Sequence, residues 1–263
     1  MRCAVVGHVE WVEFARVPHW PEPGAIIHAA DVWSEPAGGG AVVARQLALL
    51  AGRCELFTAF GQDEAGRSAV RRLAELGIDT HVQHPGDAAT RRAWTHIDGD
   101  GERTITVLGD KLLPYGRLPL EGYDLVFFVS GDAEALRSAR RARFVATTMR
   151  EQPLLHEAGV PIDLMVGSAN DPREHYDGSL DVGLVVTTNG PNGGIANGEP
   201  FGAVEPAGPV VDTYGAGDSF AAALAFALAR GDELPDALKL AARAGAAVLM
   251  GRGPYTSQLA LDE

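Results

Sequence analysis

The chain has 263 residues, 46% hydrophobic and 22% charged, with a formal net charge of −13. That length is enough for one large α/β domain or two small ones, and the acidic balance argues against a basic groove for nucleic acid or a polybasic membrane patch. Its two cysteines, Cys3 and Cys54, sit in apolar runs and give no disulfide framework; no Cys/His metal spacing, signal segment or membrane-length apolar run is present, so buried thiols and a cytoplasmic location are expected.

In chain order, Cys3-Ala4-Val5-Val6-Gly7 reads as a buried strand ending in a glycine turn. Glu10 to Trp33 carries aromatic and β-branched residues broken by Pro18, Pro21, Pro23 and Gly24, which predicts short strands and turns. Pro36-Ala37-Gly38-Gly39-Gly40 then leads into a helix over Ala41 to Leu50. Leu56 to Phe60 is the next strand, and Glu64 to Leu76 is an amphipathic helix stopping at Gly77. Ala93 to Val107 reads as a β-hairpin around Asp98-Gly99-Asp100-Gly101. Leu125 to Val129 and Leu184 to Thr188 are apolar strand cores covered on both faces, and helices are predicted over Ser219–Arg230 and Pro235–Met250. Strand and helix alternate, so a mostly parallel sheet with helices on both faces is expected. The segments near 10–35 and 93–107 interrupt that pattern and suit a small β-sheet lid.

The stretch Asp212-Thr213-Tyr214-Gly215-Ala216-Gly217-Asp218 precedes the alanine-rich helix. Small residues let backbone N–H groups approach a ligand, and a helix N-terminus adds the positive end of its dipole. Together they suit a phosphoryl group, and Asp218 beside them can accept a proton from an attacking hydroxyl. The plainer reading is an N-cap after a tight turn.

The run from Asp212 to Phe220 resembles the signature of the ribokinase (pfkB) family, Asp-Thr-x-Gly-Ala-Gly-Asp-x-Phe, with every fixed position matched. The resemblance implies a ribokinase-like three-layer α/β/α sandwich over residues 1–263, lid included. It implies an ATP- and Mg2+-dependent transferase acting on a hydroxyl of a small molecule, a sugar or sugar derivative first. Asp218 is then the general base, and Gly215, Ala216 and Gly217 the anion hole. Ala37-Gly38-Gly39-Gly40-Ala41-Val42 opens a stretch similar to the family's N-terminal signature, which sets Gly38, Gly39 and Val42 beside the acceptor, with Glu10 nearby. Pro21 to Gly24 and Asp100 to Thr104 are similar to its lid turns, and Gly61-Gln62-Asp63-Glu64-Ala65-Gly66 to its Gly-x-Asp-x-x-Gly turn. Thr188-Asn189-Gly190-Pro191-Asn192-Gly193 resembles the turn beside the nucleotide phosphates. Thr188, Gly190, Gly193, Asp212 and Thr213 become nucleotide contacts. Gly251-Arg252-Gly253 resembles the loop near the adenine and, in some members, a monovalent cation such as K+; Gly253 joins the nucleotide set. Lids in this family often pair between subunits, so a homodimer through the lid is expected.

Two departures concern the acceptor. The family's sugar-binding Asp and Asn fall at Val12 and Val42, neither of which can form a hydrogen bond. Glu10, Trp11, Trp33 and Arg45 are the substitutes within reach, with Glu13 adjacent. The family's Asn-x-x-Glu element, which organises Mg2+ through water, falls at Ser168-Ala169-Asn170-Asp171, so Asp171 is the expected metal residue. The Asp-x-Asn run after the mid-chain strand is missing from Phe144 to Arg150. A nucleoside kinase of the same fold and a catalytically silent sensor are the alternatives. A dinucleotide oxidoreductase is disfavoured, because no Gly-x-Gly-x-x-Gly follows the first strand.

Overall fold

The computed structural model describes residues 1–261. In order the elements are β1 (Cys3–Val6), β2 (Glu10–Arg16), β3 (Asp31–Ala37), α1 (Gly39–Ala51), β4 (Cys54–Ala59), α2 (Glu64–Glu75), β5 (Ile78–Gln83), β6 (Arg92–Ile97), β7 (Arg103–Leu108), β8 (Leu125–Phe128), α3 (Ala133–Ala139), β9 (Phe144–Thr148), α4 (Gln152–Ala158), β10 (Ile162–Ser168), β11 (Val182–Thr188), β12 (Gly194–Ala196), β13 (Glu199–Phe201), α5 (Ala216–Arg230) and α6 (Leu234–Val248).

Nine strands form one sheet in the order β13-β12-β11-β10-β9-β8-β1-β4-β5. β5 through β11 pair in parallel, and only the β12 and β13 edge runs antiparallel. β1 shows why its sequence is apolar throughout. Cys3 and Val5 face one core with α1, α5 and α6, while Ala4 and Val6 face a second with α3 and α4. A strand covered on both faces has no polar side to offer. This is the expected three-layer arrangement, and both cysteines are buried free thiols within it.

The two interrupting segments come together as a separate four-stranded sheet, β3-β2-β6-β7. β2 pairs antiparallel with β3 and parallel with β6, across about 80 residues of chain. The lid sits on the loop before α5. Phe14 stacks on Trp33 with ring centroids 4.9 Å apart and meets Tyr214 edge-on at 5.2 Å. Arg16 Nη1 donates to Val211 O at 3.1 Å, and Thr213 N donates to Gly101 O at 3.1 Å. The lid therefore docks onto the glycine-rich turn itself. Among the described residues, no helix is long and apolar enough to cross a membrane.

Candidate active site

The glycine turn is fixed by what its neighbours leave no room for. Gly215 caps α5 at φ +87°, and a Cβ there would meet Val42 Cγ1 at 3.0 Å and Pro254 Cβ at 3.2 Å. A left-handed backbone and a crowded Cβ position together require glycine. The first bond of the helix is Ser219 N to Gly215 O at 2.9 Å. Ala216, Gly217 and Asp218 thus keep N–H groups with no intrahelical acceptor. Nothing lies within 4 Å of where a Gly217 Cβ would be, so the helix end is open to a ligand.

Asp218 sits in the first turn of α5, with its Oδ1 3.3 Å from the position a Gly39 Cβ would take. The same added atom would come within 2.9 Å of Val129 Cγ1, so the Gly38-Gly39 loop can lie this close only without side chains. Gly38 N donates to Tyr214 Oη at 3.1 Å, which ties that loop to the residue before Gly215. Burial raises the Asp218 carboxyl to about 6; Arg103 and Arg150 pull it down and Glu174 pushes it up. Such a group is poised to take a proton near neutrality.

Asp212, Thr213 and Gly253 hold loops together. Asp212 is fully buried, accepting from Tyr214 N at 2.8 Å and Gly253 N at 3.0 Å. Its carboxylate is turned inward onto these two N–H groups. One oxygen takes an N–H from the turn before α5 and the other takes Gly253 N, from the loop linked above to a monovalent cation. Thr213 takes the lid: Arg103 Nη1 donates to its carbonyl at 3.3 Å. Gly253, at φ +65°, lies where a Cβ would fall 2.7 Å from Glu35 Oε1 of the lid. Val42, expected beside the acceptor, is fully buried and packs on Gly215, so its side chain faces the core and not the cleft.

Thr188, Gly190 and Gly193 form the turn between β11 and β12. Thr188 Oγ1 donates to Gly167 O at 3.2 Å, and Asn189 N donates to Gly193 O at 2.7 Å. Thr188 lies in register with Ser168, which brings this turn beside the Ser168–Asp171 segment. There Arg150 is gripped by two carboxylates. It ion-pairs with Asp171, and its Nε lies 2.5 Å from Glu174 Oε1. Glu174 Oε2 also accepts from Ser168 N at 2.7 Å. The Arg173 N–H and Arg150 hold the Asp171 carboxyl below its usual range. Among the described residues no three metal-ligating side chains converge. A cation already carried on phosphates needs only one or two protein carboxylates, and Asp171 with Glu174 fits that.

At the other end of the cleft, Glu10 stands beside the Gly38 loop. Val12 is fully buried. Glu10 Oε1 lies 3.3 Å from Arg91 Nε and 3.6 Å from His8 Nε2, and its Cγ is 3.7 Å from a Gly38 Cβ position. Burial raises the Glu10 carboxyl, with Arg91 and Lys111 opposing. His8 is pushed well below its usual range by burial and by Lys111, Arg91 and Arg150, so it is neutral, and its Nδ1 lies 2.9 Å from Ser130 Oγ. The other substitutes lie elsewhere. Trp33 is stacked in the lid and bonded to Glu35, and Arg45 Nη1 donates to Leu76 O at 2.6 Å. Glu13 pairs with Arg92 on the lid, and a hollow of about 690 Å³ there, lined by Glu13, Trp33 and Trp94, does not include Asp218.

Sequence reasoning missed His8, Arg91, Lys111, Arg150 and Glu174 as members of this cleft. Glu174 lies four residues past Asn170, outside the spacing that was searched. The others come from separate loops and strand ends with no common motif.

The sequence profile of the pfkB family carbohydrate kinases matches residues 1–152 and 162–260. The bifunctional protein HldE of Azotobacter vinelandii is 27% identical over 268 residues, 90% of this chain and 56% of that protein's length. The ATP-dependent ribose-1-phosphate kinase of Halopiger xanaduensis is 27% identical over 252 residues, 84% of this chain and 83% of the other. The crystal structure of a microbiome-derived acarbose kinase superposes with a TM-score of 0.81 at 23% identity, covering 98% of this chain and 96% of its own.

Proposed function

From the premise that this chain belongs to the pfkB family of carbohydrate kinases, we propose that it transfers the γ-phosphoryl of ATP to a hydroxyl of a sugar or sugar derivative, with Asp218 as general base. The observation that carries this reading is the meeting of three features at one point: the open N-terminus of α5, the Asp218 carboxylate, and the side-chain-free Gly38-Gly39 loop.

The free N–H groups of the Gly215–Gly217 turn and of Asp218 receive the negative charge on the transferring phosphoryl, helped by the helix dipole. The acceptor hydroxyl lies between Gly39 and Asp218. Asp218 takes its proton as the new O–P bond forms, and ADP leaves along the Thr188–Gly193 turn. Arg150 and Arg103, which both face Asp218, offset the charge of the nucleotide phosphates. Bound Mg2+ would neutralise β- and γ-phosphate charge; Asp171 and Glu174 are the residues that would hold it, through water. Glu10, held by Arg91 beside His8, grips the acceptor in place of the absent Asp.

ATP as donor also favours the cytoplasm as the place of action. The outer lid face, with Val32 66% and Trp94 48% exposed, is the surface through which we expect lids to pair in a homodimer, measurable by light scattering. A monovalent cation at the Asp212–Gly253 loop is tested by replacing KCl with choline chloride.

The test of the reading is ADP release with MgATP and a panel of sugars, sugar phosphates, sugar acids and nucleosides. Stoichiometric ADP and phosphorylated acceptor support a kinase, and the acceptor that works separates sugar from nucleoside. Ligand binding with no ADP from any member would make the chain a silent sensor.

A further inference from the structure

Four cations enter the cleft, and they are not equally employed. Arg150 is held by Asp171 and Glu174, and Arg103 donates to Thr213. The side chains of Arg91 and Lys111 donate no hydrogen bond among the described residues. Arg91 is only 16% exposed, and its Nε is shielded from solvent yet lacks a hydrogen-bond partner, with Glu10 at 3.3 Å but badly aligned. Lys111, 36% exposed, has only Glu151 Oε1 at 3.8 Å. A guanidinium nitrogen shielded from water without a hydrogen bond is costly, and the rest of the Arg91 fork is free to bind a ligand. Arg140, 20% exposed, contrasts with it: its guanidinium donates to Asp163 at 2.6 Å and to the carbonyls of Pro161, Ala142 and Arg143.

Arg91 is also held in place. Gly61 N donates to Thr90 Oγ1 at 2.9 Å, and Thr90 N donates to Asp63 Oδ2 at 2.8 Å. A Cβ on Gly61 would strike Ala88 O and Thr90 N at 2.5 Å, so this turn clamps the residue before Arg91. On its other side, Trp11 N donates to Arg91 O at 3.0 Å. The Gly61–Gly66 turn thus acts at the acceptor end by presenting Arg91. Arg91 and Lys111 both act on His8 and Glu10; Arg103 and Arg150 act on Asp218, and Arg150 acts on His8 as well. Arg91 stands with Glu10 beside the Gly38 loop, and neither it nor Lys111 is among the charges that act on Asp218.

We propose, resting on the kinase reading above, that the acceptor carries an anionic group, a phosphate or a carboxylate, and that Arg91 and Lys111 receive it while the acceptor's hydroxyl lies at Asp218. A guanidinium fork matches either oxyanion bidentately, and the ammonium adds a point charge. Glu10 then orients Arg91 and meets a neutral hydroxyl between the two ends.

The experiment measures binding apart from turnover. The full chain carrying Asp218→Asn, with a non-hydrolysable ATP analogue, is titrated calorimetrically with pentoses and hexoses, each as neutral sugar, monophosphate and sugar acid. The expected result is a charged member that binds at least about tenfold more tightly than its neutral parent, with that advantage falling about 10–100-fold in Arg91→Met and in Lys111→Met and partly restored by Arg91→Lys. The phosphate and acid arms tell the two oxyanions apart. Lys111 is on the surface, so its variant keeps the test open should Arg91→Met fold poorly. Neutral parents binding as well as every charged form, a charged advantage that survives both substitutions, or no binding of any charged form overturns the proposal. ADP release by the unmodified enzyme with the same panel judges the kinase reading separately. Efficient phosphorylation of a neutral sugar alone sinks this proposal and leaves the kinase standing. Anion binding without ADP does the reverse.

Discussion

The two ends of the cleft are built from different materials. The phosphoryl end is mostly backbone: a left-handed Gly215, three free N–H groups at the head of α5, and one carboxylate. The other end is side chains: His8 and Glu10 from around the start of β2, Arg91 and Lys111, arriving from three separate places in the chain. Backbone chemistry tolerates little variation in sequence, because only glycine fits each close approach. Side-chain chemistry can be rebuilt residue by residue. A kinase can therefore keep one end and exchange the other, and in this chain Val12 and Val42 have gone into the core while Glu10 and Arg91 stand at the cleft.

That contrast can be broken, and the largest blow is Asp218→Asn. We expect turnover to drop about 10²- to 10⁴-fold while ATP affinity, by calorimetry, stays within about threefold. Equal losses of both would mean that Asp218 belongs to nucleotide binding. Gly39→Ala tests the seam between the ends, since the new methyl would press on Val129 Cγ1 and reach the Asp218 carboxylate. A fall in kcat of about 10–100-fold with ATP affinity kept is the expected outcome, read by steady-state kinetics. Unchanged kcat would show that this contact does not limit the reaction. Arg103→Met loosens the lid from Thr213, and acceptor KM should rise about 3–10-fold with a smaller change in kcat.

The smallest effect is on stability, and its sign is fixed. Asp218 is raised from 3.8 to about 6 in the folded protein, so the folded state holds its proton more tightly than the unfolded one. Its ionisation therefore costs stability, and the cost grows as pH rises from 3.8 through about 6. Asp218→Asn should raise Tm by roughly 3–8 °C near pH 8 and by much less near pH 4, as scanning calorimetry would report. A variant less stable at both would point to a structural role for the carboxylate.

The same contrast explains what could be read in advance. β1, β8 and α5 were legible because burial on both faces, or along a whole helix, leaves an unbroken apolar run. β5 was not, because at the sheet edge Ile78-Asp79-Thr80-His81-Val82-Gln83 is half exposed and reads as polar. The hairpin of β6 and β7 was visible from its turn, but its parallel pairing with β2 is a tertiary fact with no local signal. In the cleft, the Asp212–Asp218 run could be read because turn, anion hole and base are consecutive. Spacing does not say which way Asp212 points; in the structure its carboxylate is turned onto Tyr214 N and Gly253 N. Arg91, Lys111 and Arg150 are ordinary surface-type residues in sequence, and only folding makes them neighbours of His8.

The most direct measurement of the central claim is the pH dependence of kcat/KM for the phosphorylated acceptor at saturating MgATP. With Asp218 as the base, kcat/KM should fall tenfold per pH unit below about 6 and level off above it. A rate that stays flat down to about pH 4.5 would contradict proton transfer to this partly buried carboxylate.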